Sequence, residues 1–213
     1  VTDAGTLQRT VKSLATRRPL KGIVHAAMVL DDRLIDGMDQ EAITRVLQPK
    51  MGGGLNLEAL AAELKTAGQR LDYLLLFSSA TTLLGNPGQF NYVAANGFLE
   101  GLARQAQDKH GLPALAVAWG GIEDTGYLAR NITANTSLKK RFASSLIASR
   151  PALDALDLAF DAAGKPATAF LSIGRIDWSM AKRELAVTRA PMFGAVIPAA
   201  GTRQTTDSAA TLE

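Results

Sequence analysis

Apolar positions along the chain fall into two alternating patterns, short continuous runs and longer stretches with helical spacing. The runs over residues 21–27, 71–77, 114–119 and 167–173 read as buried strands. Between them, residues 7–16 predict a helix with Asp3 as its cap, and residues 34–64 predict a longer one that Pro49 and Gly52-Gly53-Gly54 should kink or split. The turn Asn86-Pro87-Gly88 precedes a helix over 90–110, which Gly111-Leu112-Pro113 stops. Residues 138–148 and 151–163 predict two more helices, the second with Pro151 in its first turn. Strands alternating with helices predict an α/β fold, a Rossmann-like parallel sheet with helices on both faces. From Ala199 onward the residues are small and polar without periodicity, which reads as a disordered linker.

Composition narrows the function classes. A length of 213 residues suits one domain with a tail, and 47% hydrophobic with 20% charged residues is ordinary for a globular chain. Lys plus Arg exceed Asp plus Glu by 23 − 20 = +3, spread along the chain, so nucleic acid is not the expected partner. Without cysteine there is no thiol catalysis or Cys-ligated metal, and His25 and His110 are too few for a histidine metal cluster. The longest apolar runs, 71–77 and 192–200, fall short of the roughly 20 residues that cross a bilayer. The start, Val1-Thr2-Asp3-Ala4-Gly5, has no signal-peptide pattern. The expectation is a soluble, cytoplasmic protein with no membrane or metal site.

Candidate chemistry lies around the strongest strand. Ser79 stands at its end, and Tyr92 and Asn96, four residues apart, share a face of the next helix. Open parallel sheets bind ligands at the carboxyl ends of their strands. A phenol with an ordinary pKa near 10 needs a neighbouring cation to exchange protons near neutral pH, and Lys50 is the candidate. Spacing alone also fits a structural tyrosine and asparagine.

The wording around these residues is more specific. Residues 71–79, the stretch Gly85-Asn86-Pro87-Gly88-Gln89-Phe90-Asn91-Tyr92-Val93-Ala94-Ala95-Asn96, then Gly111-Leu112-Pro113, Val117-Ala118-Trp119-Gly120 and the segment 24–32 together resemble the ketoreductase domains of modular polyketide synthases. The resemblance covers about residues 1–178. These domains belong to the short-chain dehydrogenase/reductase superfamily. It implies NADPH-dependent reduction of a β-ketoacyl group, carried on an acyl carrier protein, to a β-hydroxyacyl group. Residue by residue it makes Tyr92 the general acid and has Ser79 bond the same ketone oxygen. Asn96 takes the place a lysine holds in the wider superfamily, while Lys50, from an earlier helix, supports the Tyr92 hydroxyl and the nicotinamide ribose. It places His25, Ala26 and Ala27 at the cofactor crevice, Trp119 and Gly120 beside the nicotinamide, and Asp3 near the adenine. Leu30-Asp31-Asp32 resembles the marker of domains that yield the D-alcohol, and no Trp occurs over 83–91 where the opposite class carries one.

One expected feature is missing from the sequence. A dinucleotide site needs a glycine-rich turn after the first strand, and Gly52-Gly53-Gly54 follows a helix instead. Compared with the family, the chain starts after the third strand, so the fold is expected to be incomplete, with first strands and glycine-rich loop absent. The reading is a catalytic part over 1–182 followed by an extension and linker over 183–213. Alone it should bind NADPH poorly, and its partners should be the missing N-terminal half, the acyl carrier protein and other synthase domains. Lys139, Lys140 and Arg141 are candidates for carrier docking, against the plainer reading of a solvated charged face. The absent turn favours an alternative, a non-catalytic structural ketoreductase-like domain; retention of Ser79, Tyr92, Asn96 and Lys50 opposes it.

Overall fold

The computed structural model describes residues 1–131 and 144–197. Four parallel strands, β1 (Gly22–His25), β2 (Tyr73–Ser79), β3 (Ala114–Trp119) and β5 (Phe170–Ile173), lie side by side in that order. Two short strands, β4 (Ser144–Ser145) and β6 (Arg175–Ile176), form a separate antiparallel pair. The helices are α1 (Ala4–Ala15), α2 (Gln40–Thr66), α3 (Thr81–Leu84), α4 (Phe90–His110), α5 (Gly126–Arg130), α6 (Ser149–Asp157) and α7 (Trp178–Glu184).

Alternation along the strands builds two cores. Leu74 and Leu76 of β2, with Ala114 and Ala116 of β3, pack against Leu57, Leu60 and Leu64 of α2 and Leu99, Leu102 and Ala103 of α4. On the other face Leu75, Leu115 and Val117 pack against Ala152 and Leu156 of α6. Helices therefore cover both faces, as the sequence predicts. The register pairs Ser79 with Trp119 and Trp119 with Ile173, so three strand ends line up in one row. At the sheet edge, among the described residues, β1 pairs only with β2, and its Val24 is half-exposed.

Several predicted boundaries shift. Helix α2 is one continuous element through Pro49 and the glycine triplet, where the sequence predicts a kink or a split; it is not split. A Cβ on Gly53 would lie 2.8 Å from Val1 and 3.0 Å from His25, and one on Gly54 2.9 Å from Leu99. These glycines permit close packing on β1 and α4, and tertiary contact outweighs their poor helix propensity. Strand β1 is shorter than predicted, and β2 runs on through Ser78 and Ser79, which pair with Ala118 and Trp119. The predicted helix over 138–148 lies partly outside the described residues, and its described end is not helical. Ser144–Ser145 pairs with β6, and Ile147 donates to the Gly121 carbonyl at 3.0 Å. Helix α6 ends at Asp157 because the Asp161 carboxylate accepts from the Ala163 and Lys165 amides, both at 2.9 Å, closing a turn. The Ala167 amide bonds Ala159, which delays the last strand to Phe170.

Beyond α7 the chain forms short 3-10 turns over Ala186–Arg189 and Pro191–Phe193. Phe193 is buried with Leu84, and Trp178, Leu185 and Ile197 pack around them. No helix among the described residues is long and apolar enough to cross a membrane. Lys139, Lys140, Arg141 and the residues from 198 onward lie outside the described residues.

Candidate active site

Three elements deliver the predicted chemistry to one cavity of about 820 Å³. Ser79 ends β2, Tyr92 lies in the first turn of α4, and Lys50 projects from the middle of α2; all three line it. The Lys50 Nζ donates to the Phe77 carbonyl at 2.7 Å and lies 5.6 Å from the centroid of the Tyr92 ring. Ser79 Oγ accepts from the Thr81 hydroxyl at 3.0 Å and from the Thr81 amide at 3.3 Å. With those lone pairs engaged, the Ser79 hydrogen is left to donate.

The electrostatics differ from expectation at one point. Burial pushes the Tyr92 phenol above its ordinary pKa, opposed by the Asn96 and Ser79 side chains, while the nearby Asp32 charge adds to the rise. The predicted lowering by Lys50 is not found. Desolvation is the largest influence on the phenol, and desolvation likewise pushes the Lys50 ammonium down to about 8. At neutral pH the phenol is protonated and Lys50 is charged, the states a proton donor and a supporting cation require.

Other predicted residues are spread around the cavity. Ala26, Leu30, Asp32, Trp119 and Gly120 line it. Asn96 is fully buried, donates to the Tyr92 carbonyl at 2.7 Å, and keeps its side-chain oxygen unpartnered; it supports the helix beneath Tyr92 and is not in the cavity wall. His25 is buried with Nε2 3.1 Å from the Lys50 carbonyl, so that nitrogen carries the hydrogen, and burial pushes the ring's pKa down. Its place is behind Lys50. Asp31 is held by Arg33 and Arg45. Asp3 caps α1, accepting from the Thr6 amide at 3.0 Å, while Ala27 and Asp31 do not reach the wall.

Sequence reasoning missed Thr81, whose role depends on the tight turn after β2, and Trp178, Met192 and Phe193, which reach the cavity from beyond the last sheet strand. For Met192 and Phe193 the sequence signal is the apolar run 192–200.

The lining fits the nicotinamide and ribose end of a dinucleotide. Ala26, Gly120 and Gly121 offer close backbone approach, and the buried Trp119 indole N–H lacks a partner. Among the described residues no glycine-rich strand-to-helix turn follows β1, so those residues offer no such cradle for the pyrophosphate.

A parallel sheet ending in a serine opposite a helix-borne tyrosine, with small residues at the neighbouring strand ends, defines a fold of the short-chain dehydrogenase/reductase type. The KR domain family model matches residues 1–124, and the chain belongs to that family, the ketoreductase domains of polyketide synthases. It is similar to the phthioceranic/hydroxyphthioceranic acid synthase of Mycobacterium tuberculosis (strain ATCC 25618 / H37Rv), 42% identical over 131 residues, or 60% of this chain and 6% of that protein. Reducing polyketide synthase DEP5 of Alternaria brassicicola is 36% identical over 178 residues, 74% of this chain and 7% of its own. Among solved structures, the ketoreductase PlmKR1 from the first module of phoslactomycin biosynthesis in Streptomyces sp. HK803 superposes with a TM-score of 0.78 at 28% identity, covering 92% of this chain and 44% of that one. An A-type ketoreductase from a modular polyketide synthase gives 0.73 at 28% identity, covering 93% and 38%. The chain thus spans a small fraction of its curated relatives and less than half of these solved ketoreductases. Domains of this family are oxidoreductases that use nicotinamide cofactors.

Proposed function

We propose that this chain is the catalytic part of a ketoreductase domain that reduces a β-ketoacyl thioester to a β-hydroxyacyl thioester with NADPH, the acyl group riding on an acyl carrier protein. The observation that carries the reading is the convergence of Ser79, Tyr92 and Lys50 on one cavity at the row of strand ends. Bound NADPH would supply hydride to the ketone carbon, with Lys50, Trp119 and the Ala26 and Gly120 backbone holding its nicotinamide end. The Ser79 hydroxyl donates to the ketone oxygen and orients it. Tyr92, kept protonated by burial, gives its proton to that oxygen as the alcohol forms. Lys50 places positive charge beside the phenolate left behind.

Placement of Leu30 in the cavity wall, with Asp32 beside it, supports the D-alcohol as product. The half-exposed β1 edge supports pairing with an N-terminal half that brings the phosphate-binding turn. Within this reading the catalytic part is residues 1–182, and residues 183–213 are an extension, docked at its start against Leu83 and Leu84, that leads toward other synthase domains in a cytoplasmic assembly.

The test is consumption of NADPH, and separately of NADH, with a short β-ketoacyl thioester, using the chain alone and joined to a ketoreductase N-terminal half. Reduction by the joined form, with NADPH preferred and the D-alcohol recovered, supports the proposal. A joined, folded form without reductase activity refutes it in favour of a structural domain.

A further inference from the structure

The cavity extends well past the carbonyl site. Immediately after Ser79 the chain turns into α3, and its Leu83 and Leu84 meet Trp178, Met192, Phe193 and Val196 along the same wall. Phe193 is buried with Leu84, and the Trp178 and Phe193 ring centroids lie 5.9 Å apart, so residues 185–197 are folded onto the body and form a fixed surface. Around the opening, large apolar side chains face solvent: Tyr127 is 40% exposed, Leu153 51%, Met192 67% and Val196 45%. Among the described residues the lining holds three charged ones, Arg175, Asp32 and Lys50, the last two engaged by Gln89 and the Phe77 carbonyl.

We infer that this wall binds the aliphatic part of a medium-to-long β-ketoacyl chain beyond the ketone, with Met192 and Val196 lying along it. The inference rests on the reductase reading and deepens it by naming the acyl class. Exposed apolar residues gathered at a cavity mouth mark a place where apolar ligand surface is buried. The same wall offers few partners to a hydroxylated or charged chain, which would give up its water hydrogen bonds on entry. The volume, toward the upper part of the usual range for ligand pockets, accommodates such a chain together with the reacting ketone.

The test separates binding from chemistry. Saturated butanoyl, octanoyl and dodecanoyl pantetheine thioesters carry no ketone to reduce; they are titrated against the full native polypeptide by calorimetry. Affinity is expected to rise by about tenfold or more from butanoyl to octanoyl. Met192→Lys and Val196→Lys, at exposed positions, are expected to flatten that gradient, and Met192→Leu to retain it. Equal affinities across the series, or a gradient that survives both lysine variants, would overturn the inference. Reduction of acetoacetyl pantetheine by the same preparation reads the reductase function independently. A flat gradient with reduction intact sinks only the chain-length claim, whereas a steep gradient with no reduction sinks the reductase reading.

Discussion

The Gln89 side-chain amide donates to the Asp32 carboxylate at 2.8 Å, tying the loop that carries Leu30, Asp31 and Asp32 to the turn just before Tyr92. Gln89 is itself held by Asn86 at 2.8 Å, and the Asn91 side-chain Nδ2 donates to the Asp31 carbonyl at 3.0 Å. Asp31 adds ion pairs to Arg33 and Arg45. Leu30-Asp31-Asp32 is thus a tether that sets Leu30 in the cavity wall relative to the phenol. Gln89→Ala is expected to lower the stereochemical purity of the alcohol and raise KM several-fold, with a smaller change in kcat, read by chiral chromatography of the product. Unchanged purity would mean that the tether does not control the face of reduction.

Thr81 acts through Ser79. Its hydroxyl and amide occupy the Ser79 oxygen, which directs the serine hydrogen away from Thr81. Thr81→Val keeps the volume and removes the hydroxyl donor; kcat is expected to fall by about tenfold, the worth of one hydrogen bond, with KM little changed. Thr81→Ser should restore the rate. Failure of serine to rescue would assign the loss to packing.

The buried Lys50 ammonium has a cost in stability. Its ammonium is buried and held down to about 8, so below that pH the folded state carries a charge it solvates poorly. Between about 8 and the ordinary lysine value the unfolded chain binds the proton and the folded chain does not, so wild-type stability rises with pH across that window. Lys50→Met should therefore be more stable than wild type at neutral pH, by up to about 3 kcal/mol, and the gap should narrow as pH rises above 8. Urea denaturation at several pH values checks the sign. In the wild type the reduction rate should decline through the same pH, as the charge beside Tyr92 is lost.

The glycine triplet of α2 separates packing from propensity. A Cβ at Gly54 would meet the buried Leu99 at 2.9 Å and Leu102 at 3.0 Å, whereas one at Gly52 meets only the Gln48 side chain at 3.7 Å. Gly54→Ala is expected to destabilise by roughly 1–3 kcal/mol and Gly52→Ala to stabilise by up to about 1 kcal/mol. Thermal or urea melts giving the same sign for both would contradict the close-packing account.

Local signals in the sequence carried part of this fold. Helix α4 and strand β3 begin and end where the turn residues Asn86-Pro87-Gly88 and Gly111-Leu112-Pro113 predict, because a left-handed Gly111 and a proline act locally. The continuity of α2 was not legible, since its glycines answer to Leu99 and His25, far away in sequence. Nor was the fold of residues 185–197, whose apolar residues gain meaning only from Leu83 and Leu84 a hundred positions earlier. At the site, Ser79, Tyr92 and Lys50, which the sequence singles out, line one cavity. Asn96 shares a helix with Tyr92 but is buried beneath that cavity, which spacing alone does not report. The direction of the Tyr92 shift was missed because desolvation depends on everything packed around the ring, which spacing does not report.

The central claim is that the Tyr92 hydroxyl delivers the proton to a ketone held by Ser79. NADPH consumption with a β-ketoacyl thioester, compared between the wild type and Tyr92→Phe in the same folded polypeptide, tests it most directly. A fall of about a hundredfold or more, with melting temperature and cofactor binding retained, is the predicted result. Reduction by Tyr92→Phe at the wild-type rate would contradict it.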